Sequence, residues 1–189
     1  MHERKFNPKN MHRLDSAERR EKLPPEKLLS VLPMEKEHTV VDVGAGTGYF
    51  AIPVAQRVKR VIAVDVEPKM LEELDRKLQE NKVSNVELVP GEAADIPLPA
   101  ETADHVVASM ILHEVEPLSA GLAEIYRVLK PGGSLFCLEW AKVETEQGPP
   151  LWHRIAANAM EEALSKAGFD VVYKEDPTEA NYLIVAHKQ

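Results

Sequence analysis

VVDVGAGTGYF, residues 40–50, decides the fold. With Thr39 in front, the β-branched run TVVDVG (39–44) reads as a buried strand ended by glycine. GTGYFAIPVAQRV (46–58) then reads as a helix, with a kink or tight spot at Pro53. Between them Gly44-Ala45-Gly46-Thr47-Gly48 makes the turn, and its glycines let backbone approach a ligand with no Cβ in the way. A dinucleotide fingerprint, G-x-G-x-x-G, would need a third glycine at 49, where this chain has Tyr49. Asp42 stands two residues before Gly44. Its charge disfavours a pyrophosphate beside it and favours a ligand with a cationic centre.

Outward from this turn, strands and helices alternate. RVIAVDV (60–66), NVELVPGEA (85–93), ADHVVASM (103–110) and SLFCLEW (134–140) read as strands. PKMLEELDRKLQEN (68–81) reads as a helix with Pro68 near its start and Met70, Leu71, Leu74 and Leu78 on one face. PLSAGLAEIYRVLK (117–130) is a helix stopped by Pro131-Gly132-Gly133, and LWHRIAANAMEEALSKAG (151–168) a helix with Gly168 just past its end. FDVVYKED (169–176) and NYLIVAHK (181–188) lie too close together for a crossover helix, so they form a hairpin. The fold class is therefore α/β: a doubly wound, Rossmann-like seven-stranded sheet, mostly parallel with one antiparallel strand, with helices on both faces. In such sheets ligands bind beyond the carboxyl ends of the strands, at the switch point. Residues 23–189 form this domain, opening on a helix in LPPEKLLSVL (23–32). Residues 1–22 are polar, with Phe6, Met11 and Leu14 as apolar anchors. They read as an arm or short helix, expected to fold over the mouth of the site as a lid.

Two further acids follow Asp42 at telling places. Asp65 ends the second strand, where a carboxylate accepts hydrogen bonds from ribose hydroxyls. Asp95 follows the third strand in GEAADIPLP and could accept from an exocyclic adenine amine. A cation, a ribose and an adenine in a row describe S-adenosyl-L-methionine (SAM). Each acid has a plainer reading: Asp65 as a helix cap before Pro68, Asp95 as a loop acid before Pro97.

With these residues in place, the chain resembles the class I SAM-dependent methyltransferases, in particular the small UbiE-like, type 11 group. The matching stretches are VVDVGAGTG (40–48), VIAVDVEPKML (61–71), GEAADIPLPAETADHVVASMILHEV (91–115) and IYRVLKPGG (125–133). The resemblance implies a SAM-dependent methyltransferase that releases S-adenosyl-L-homocysteine. It implies SAM contacts from Asp42, Gly44, Ala45, Gly46, Thr47, Gly48, Asp65, Val66, Met70, Ala94, Asp95, Ser109 and Met110. It also places the closing strand antiparallel between strands five and six. The alternative is a SAM-binding regulatory or partner protein without transfer chemistry, separable by turnover on any nucleophile. An NAD-dependent oxidoreductase ranks third, because of Tyr49.

Composition narrows the partners. The chain has 189 residues, 44% hydrophobic and 29% charged, a globular balance that rules out a disordered or collagen-like chain. No apolar run reaches the ~20 residues that span a bilayer. The polar start MHERKFNPKN shows no secretory signal, and the single Cys137 leaves no internal disulfide, which points to a reducing cytoplasm. A net charge of −8 argues against a phosphate backbone as partner. SMILHEV (109–115) also lacks the N/D-P-P-Y/F/W pattern of nucleic-acid methyltransferases, so the expected acceptor is a small molecule. Residues 1–22 run the other way, with seven Lys/Arg against four Asp/Glu. No His, Cys, Asp or Glu set has metal-ligand spacing. His105 reads as a core or edge group, whereas His38 reads as solvated. His113 is the candidate general base, since imidazole titrates near neutrality and the residue follows strand four. Its plainer reading is capping or packing at a helix start. Glu139, Trp140 and Lys142 flank the mouth from strand five, Trp140 equally readable as closure of the strand end. Oligomeric state leaves no sequence signal.

Overall fold

The computed structural model describes residues 8–189, and Phe6, expected as an anchor of the arm, lies outside the described residues. The chain opens on a 3-10 turn, Pro8–Asp15, then α1 (Ala17–Lys22), α2 (Pro25–Leu28) and a second 3-10 turn, Leu29–Val31. The alternating part runs β1 (Thr39–Val43), α3 (Ala51–Ala55), β2 (Arg60–Asp65), α4 (Pro68–Glu80) and β3 (Val86–Pro90). It continues with β4 (Ala103–Ser109), a 3-10 turn at Leu112–Glu114, α5 (Leu118–Val128) and β5 (Leu129–Trp140). A 3-10 turn at Leu151–His153, α6 (Ala157–Lys166), β6 (Phe169–Thr178) and β7 (Asn181–Lys188) complete it.

The seven strands lie in the order β3-β2-β1-β4-β5-β7-β6. β1 to β5 pair in parallel, and β7 runs antiparallel between β5 and β6, as expected. After β3 the chain returns to the far side of β1 to lay down β4, so the order reverses between β1 and β4. The carboxyl ends of those two strands flank the switch point. Four of the five residues of β1 and five of the six of β2 are buried, because helices cover both faces of the sheet. One face packs Val40, Val61, Val107 and Phe136 against Val54, Leu74 and Leu78. The other packs Val41, Ile62, Val106 and Leu135 against Leu122, Ile125, Met160 and Leu164, and it includes the buried Cys137. Among the described residues no helix is long and apolar enough to cross a membrane.

Four local readings change. The helix expected over 46–58 is only Ala51–Ala55, because Gly46 and Gly48 hold left-handed backbone (φ +54° and +86°). Pro53 then falls in the first turn, where its missing N–H removes no helical bond, so it makes no kink. Pro131-Gly132-Gly133 lies inside β5 rather than ending a helix. There β5 bulges past Asp104: Ala103 pairs with Leu129 but His105 with Ser134, and a Cβ on Gly133 would meet the Asp104 carbonyl at 2.9 Å. The helix expected from 151 begins at Ala157, because Arg154 takes extended backbone (ψ 141°) while its guanidinium gathers the carbonyls of Ala141, Val143, Gln147 and Pro149. His38, read as solvated, meets the buried His105 across 3.0 Å from Nδ1 to Nε2.

Candidate active site

The carboxyl ends of β1, β2, β4 and β5 open into one cleft of about 1300 Å³. Asp42 enters it from β1, 2% exposed, with Oδ2 accepting no hydrogen bond. Burial and the neighbouring Asp65 push its pKa up to about 7, against the pull of the Ala51 N–H and Arg19. Asp65 closes β2. Its Oδ2 accepts from the Gly46 N–H (2.8 Å) and its Oδ1 from the Glu67 N–H (2.9 Å). Burial raises its pKa, and those two N–H groups oppose the rise. One carboxylate thus holds both the glycine turn and the residue ahead of the next helix; the cap read for Asp65 falls instead to Glu67, whose side chain accepts from the Lys69 N–H.

The three glycines do different work. A Cβ on Gly44 would strike the Ile111 side chain at 2.5 Å, and one on Gly48 would strike Leu74 Cδ1 at 2.3 Å. Gly44 therefore admits the loop after β4, and Gly48 admits α4. Gly46 would meet Leu14 Cδ1 at 3.3 Å, so the N-terminal segment lies over the turn. Asp15 fastens that segment: its Oδ2 accepts from Thr47 Oγ1 (2.6 Å) and pairs with Lys77 Nζ, which also reaches the Thr47 carbonyl (3.2 Å).

Asp42, Gly44, Ala45, Gly46, Thr47, Asp65, Val66, Met70, Ser109 and Met110 all line the cleft. Gly48, Ala94 and Asp95 do not line it. Asp95 is exposed on the loop after β3, its N–H bonded to the Glu92 carbonyl, and its charge helps raise the pKa of Arg127. Ser109 Oγ is buried without a hydrogen-bond partner. Met110 holds φ +55°, rare for a side chain of its size, while its N–H bonds the Leu138 carbonyl at 2.7 Å.

His113 lines the same cleft, 6% exposed. Its Nδ1 donates to Glu139 Oε2 (2.8 Å), and its Nε2 lies 3.8 Å from Glu114 Oε1. Burial alone would lower its pKa, but the Glu139 charge and hydrogen bond, with Glu114, outweigh it and raise the value. The His113 N–H also donates to Glu139 Oε1 (3.3 Å) and the Trp140 N–H to Oε2 (3.1 Å).

Arg19 is the residue that sequence reasoning missed. From α1 it stacks over the Tyr49 ring (4.0 Å), donates to the Leu14 carbonyl (2.8 Å) and approaches Met110 Sδ (3.9 Å). Its Nε is buried with no partner, and burial lowers its pKa against the opposing pull of Tyr49, Asp15 and Asp42. In the sequence it is one charge in a charged arm, and nothing local sets it apart.

The family model described as "Methyltransferase domain" matches residues 41–137, half of the chain. The chain belongs to this methyltransferase family. The matched span runs from the middle of β1 into β5 and contains Asp42, the glycine turn, Asp65 and His113. Demethylmenaquinone methyltransferase of Geobacillus sp. (strain WCH70) is 36% identical over 109 residues, 56% of this chain and 47% of that protein. The ubiquinone/menaquinone biosynthesis C-methyltransferase UbiE of Marinomonas sp. (strain MWYL1) is 36% identical over 111 residues, 57% of this chain and 44% of that one. The chain spans about half the length of the curated relatives it matches. A crystal structure of a SAM-dependent methyltransferase from Aquifex aeolicus superposes with a TM-score of 0.90 at 29% identity, covering 97% of this chain and 99% of that chain. The seven-stranded sheet with its inserted antiparallel strand is thus the methyltransferase fold.

The cleft suits SAM on its own chemistry. SAM carries an ammonium and a sulfonium, and Asp42 offers a buried carboxylate oxygen with no hydrogen-bond partner. Its ribose hydroxyls suit Asp65, and its carboxylate suits the unpartnered Arg19 Nε.

Proposed function

We propose that the chain transfers a methyl group from SAM to a small, apolar, aromatic acceptor. The observation that carries this reading is the pair of buried carboxylates, Asp42 and Asp65, at the ends of adjacent strands around a glycine turn. SAM, when bound, supplies a methyl carbon on a cationic sulfur that leaves as a neutral thioether. The chain's own residues bind and orient. Asp42 faces positive charge, Asp65 the ribose, and Arg19 the carboxylate, which fixes the donor against three elements at once. Such positioning can supply ~7–11 kcal/mol of a two-reactant barrier.

The acceptor class rests on Trp140, Trp152, Pro149 and Pro150 in the lining of the cleft, Trp152 being 58% exposed. The quinone-directed names of the Geobacillus and Marinomonas relatives point the same way. A hydroquinone or hydroxynaphthalene is the first acceptor to try. Residues 8–22 act as the lid in this reading: Leu14 over Gly46 and Asp15 on Thr47 keep water from the donor. A reducing cytoplasm suits the unpaired Cys137. Calorimetry with SAM, S-adenosylhomocysteine and NAD, followed by turnover of labelled SAM on a hydroquinone panel, tests the proposal. Micromolar binding of the two adenosyl ligands with transfer to a hydroquinone supports it. Binding without transfer to any panel member leaves the regulatory alternative, and NAD binding alone removes the reading.

A further inference from the structure

We infer that His113 and Glu139 are a proton-accepting pair, and that the acceptor is a hydroxyaromatic compound whose O–H proton passes to His113 Nε2. The inference rests on the methyltransferase reading and names the chemistry of its acceptor. Glu139 is 1% exposed at the end of β5, and its carboxylate accepts from the His113 N–H, His113 Nδ1 and the Trp140 N–H. Three donors to one buried carboxyl fix its place. With Nδ1 committed as donor, the neutral ring carries its lone pair on Nε2. His113 lines the cleft beside Trp140, where the acceptor ring would lie. Glu139 is thus a positioning residue, acting only through His113.

The register of the sheet builds the pair. Ser109 of β4 pairs with Leu138 of β5, so the residue after Leu138 lies against the turn that leaves β4. The charged groups around the ring are Glu139 from β5, Glu114 from its own turn, and Arg154 from the segment after the Leu151–His153 turn. The two carboxylates favour a proton on the ring and Arg154 opposes it. Across the strand from Glu139, Tyr182 donates to the Ile155 carbonyl at 3.1 Å and does not compete for the carboxylate.

The step is a proton transfer. The acceptor O–H bond breaks, its proton bonds to His113 Nε2, and the electron pair stays on the acceptor oxygen and its conjugated ring. No oxidant or reductant is needed. The result is an oxyanion beside an imidazolium that is itself paired with Glu139, an arrangement a buried site tolerates because each charge has a neighbour of opposite sign. A carboxylate acceptor would arrive ionised and need no such pair. A hydroxyaromatic needs it near neutral pH, and the resulting oxyanion is the stronger nucleophile at oxygen and at the ring carbons conjugated to it.

Nitrogen-15 NMR of the full chain with S-adenosylhomocysteine tests this without turnover. The expected result is a neutral His113 protonated at Nδ1 and a titration midpoint above that of free histidine. Glu139→Gln should lower the midpoint by about one pH unit or more, with S-adenosylhomocysteine affinity unchanged. The probe for the acceptor is 4-nitrophenol, whose anion is coloured. It should bind as the anion below its solution pKa, with His113 becoming protonated in step. Glu139→Gln and His113→Gln should abolish that ionisation. A neutral His113 protonated at Nε2, or a midpoint that Glu139→Gln does not move, overturns the pair. Nitrophenol that does not bind, or binds as the neutral phenol, overturns the acceptor class. Failure to bind S-adenosylhomocysteine would strike the methyltransferase reading instead.

Discussion

Asp42→Asn should make the protein more stable at alkaline pH while it loses its methyl donor. The wild-type carboxyl sits near pH 7 in the folded chain against 3.8 when unperturbed, because burial and Asp65 penalise its charge. The folded state therefore holds a proton that the unfolded chain releases, everywhere between about pH 4 and pH 7. In that window this group is more protonated in the native state, so its contribution to unfolding free energy falls as pH rises and levels off above pH 7. The difference is roughly three pH units, or about 4 kcal/mol at 1.36 kcal/mol per unit. Asparagine has nearly the same shape and no charge. The stability of Asp42→Asn relative to wild type should thus grow by about 4 kcal/mol between pH 4 and pH 8, whatever the offset at pH 4. Urea unfolding followed by circular dichroism at the two pH values measures it. Calorimetry should show the opposite sign for function: a loss of about 10–150-fold in SAM affinity, matching a charge-assisted hydrogen bond of ~1.5–3 kcal/mol. Wild-type affinity should itself fall below pH 7 as Asp42 takes up a proton. A stability difference that does not change with pH would refute the argument, since it would mean that Asp42 is not a buried, destabilised charge.

Asp65→Ala should weaken SAM and S-adenosylhomocysteine binding tenfold or more by calorimetry, and should loosen the glycine turn because Gly46 loses its acceptor. His105 is held near pKa 4 by burial and His38, against Asp104. It is neutral when folded but takes a proton when unfolded below about pH 6.5, so its own contribution to stability should fall by about 3 kcal/mol as pH drops from 6.5 to 4, opposite in sign to that of Asp42. The stability of His105→Gln relative to wild type should rise by that amount over the same range in the same urea assay. Arg154→Ala should free the loop at 141–150, read as new protease cleavage there, with SAM affinity retained because no donor-facing residue moves.

The core of the fold was legible because its signals are local. β1, its glycine turn and Asp65 announce themselves within a few residues, since strand, turn and strand-end acid must be close in chain to be close in space. Helix starts were less legible where a distant group decided them. Nothing between 151 and 157 forbids a helix; Arg154 is drawn out by loop carbonyls that the sequence does not mark. The same holds for partners in the cleft. Glu139 reaches His113 across 26 residues only because β5 is placed beside β4. Arg19 meets Met110 across 91 residues. Asp95 stands exposed on the loop after β3, and what orders that loop is also distant in sequence: Arg127 ties the carbonyls of Ile96 and Leu98.

These distant contacts also decide how the proposed lid and the donor site share energy. Asp15 bonds Thr47, which is in the glycine turn, and Lys77, which is in α4. Arg19 and Asp42 each shift the other's proton affinity, one from the arm and one from β1. Each keeps one unsatisfied atom: Arg19 Nε and Asp42 Oδ2 are both buried with no hydrogen-bond partner. A buried, unsatisfied group costs ~1–3 kcal/mol, more when charged, so the site holds free energy that a matching ligand releases. In the proposed site SAM would present a carboxylate to one and positive charge to the other, and so satisfy both at once. Donor binding and lid closure then draw on the same contacts, so by linkage whatever strengthens one must strengthen the other. An acceptor, in this proposal, meets a cleft whose donor half is already closed and whose open wall is the aromatic one.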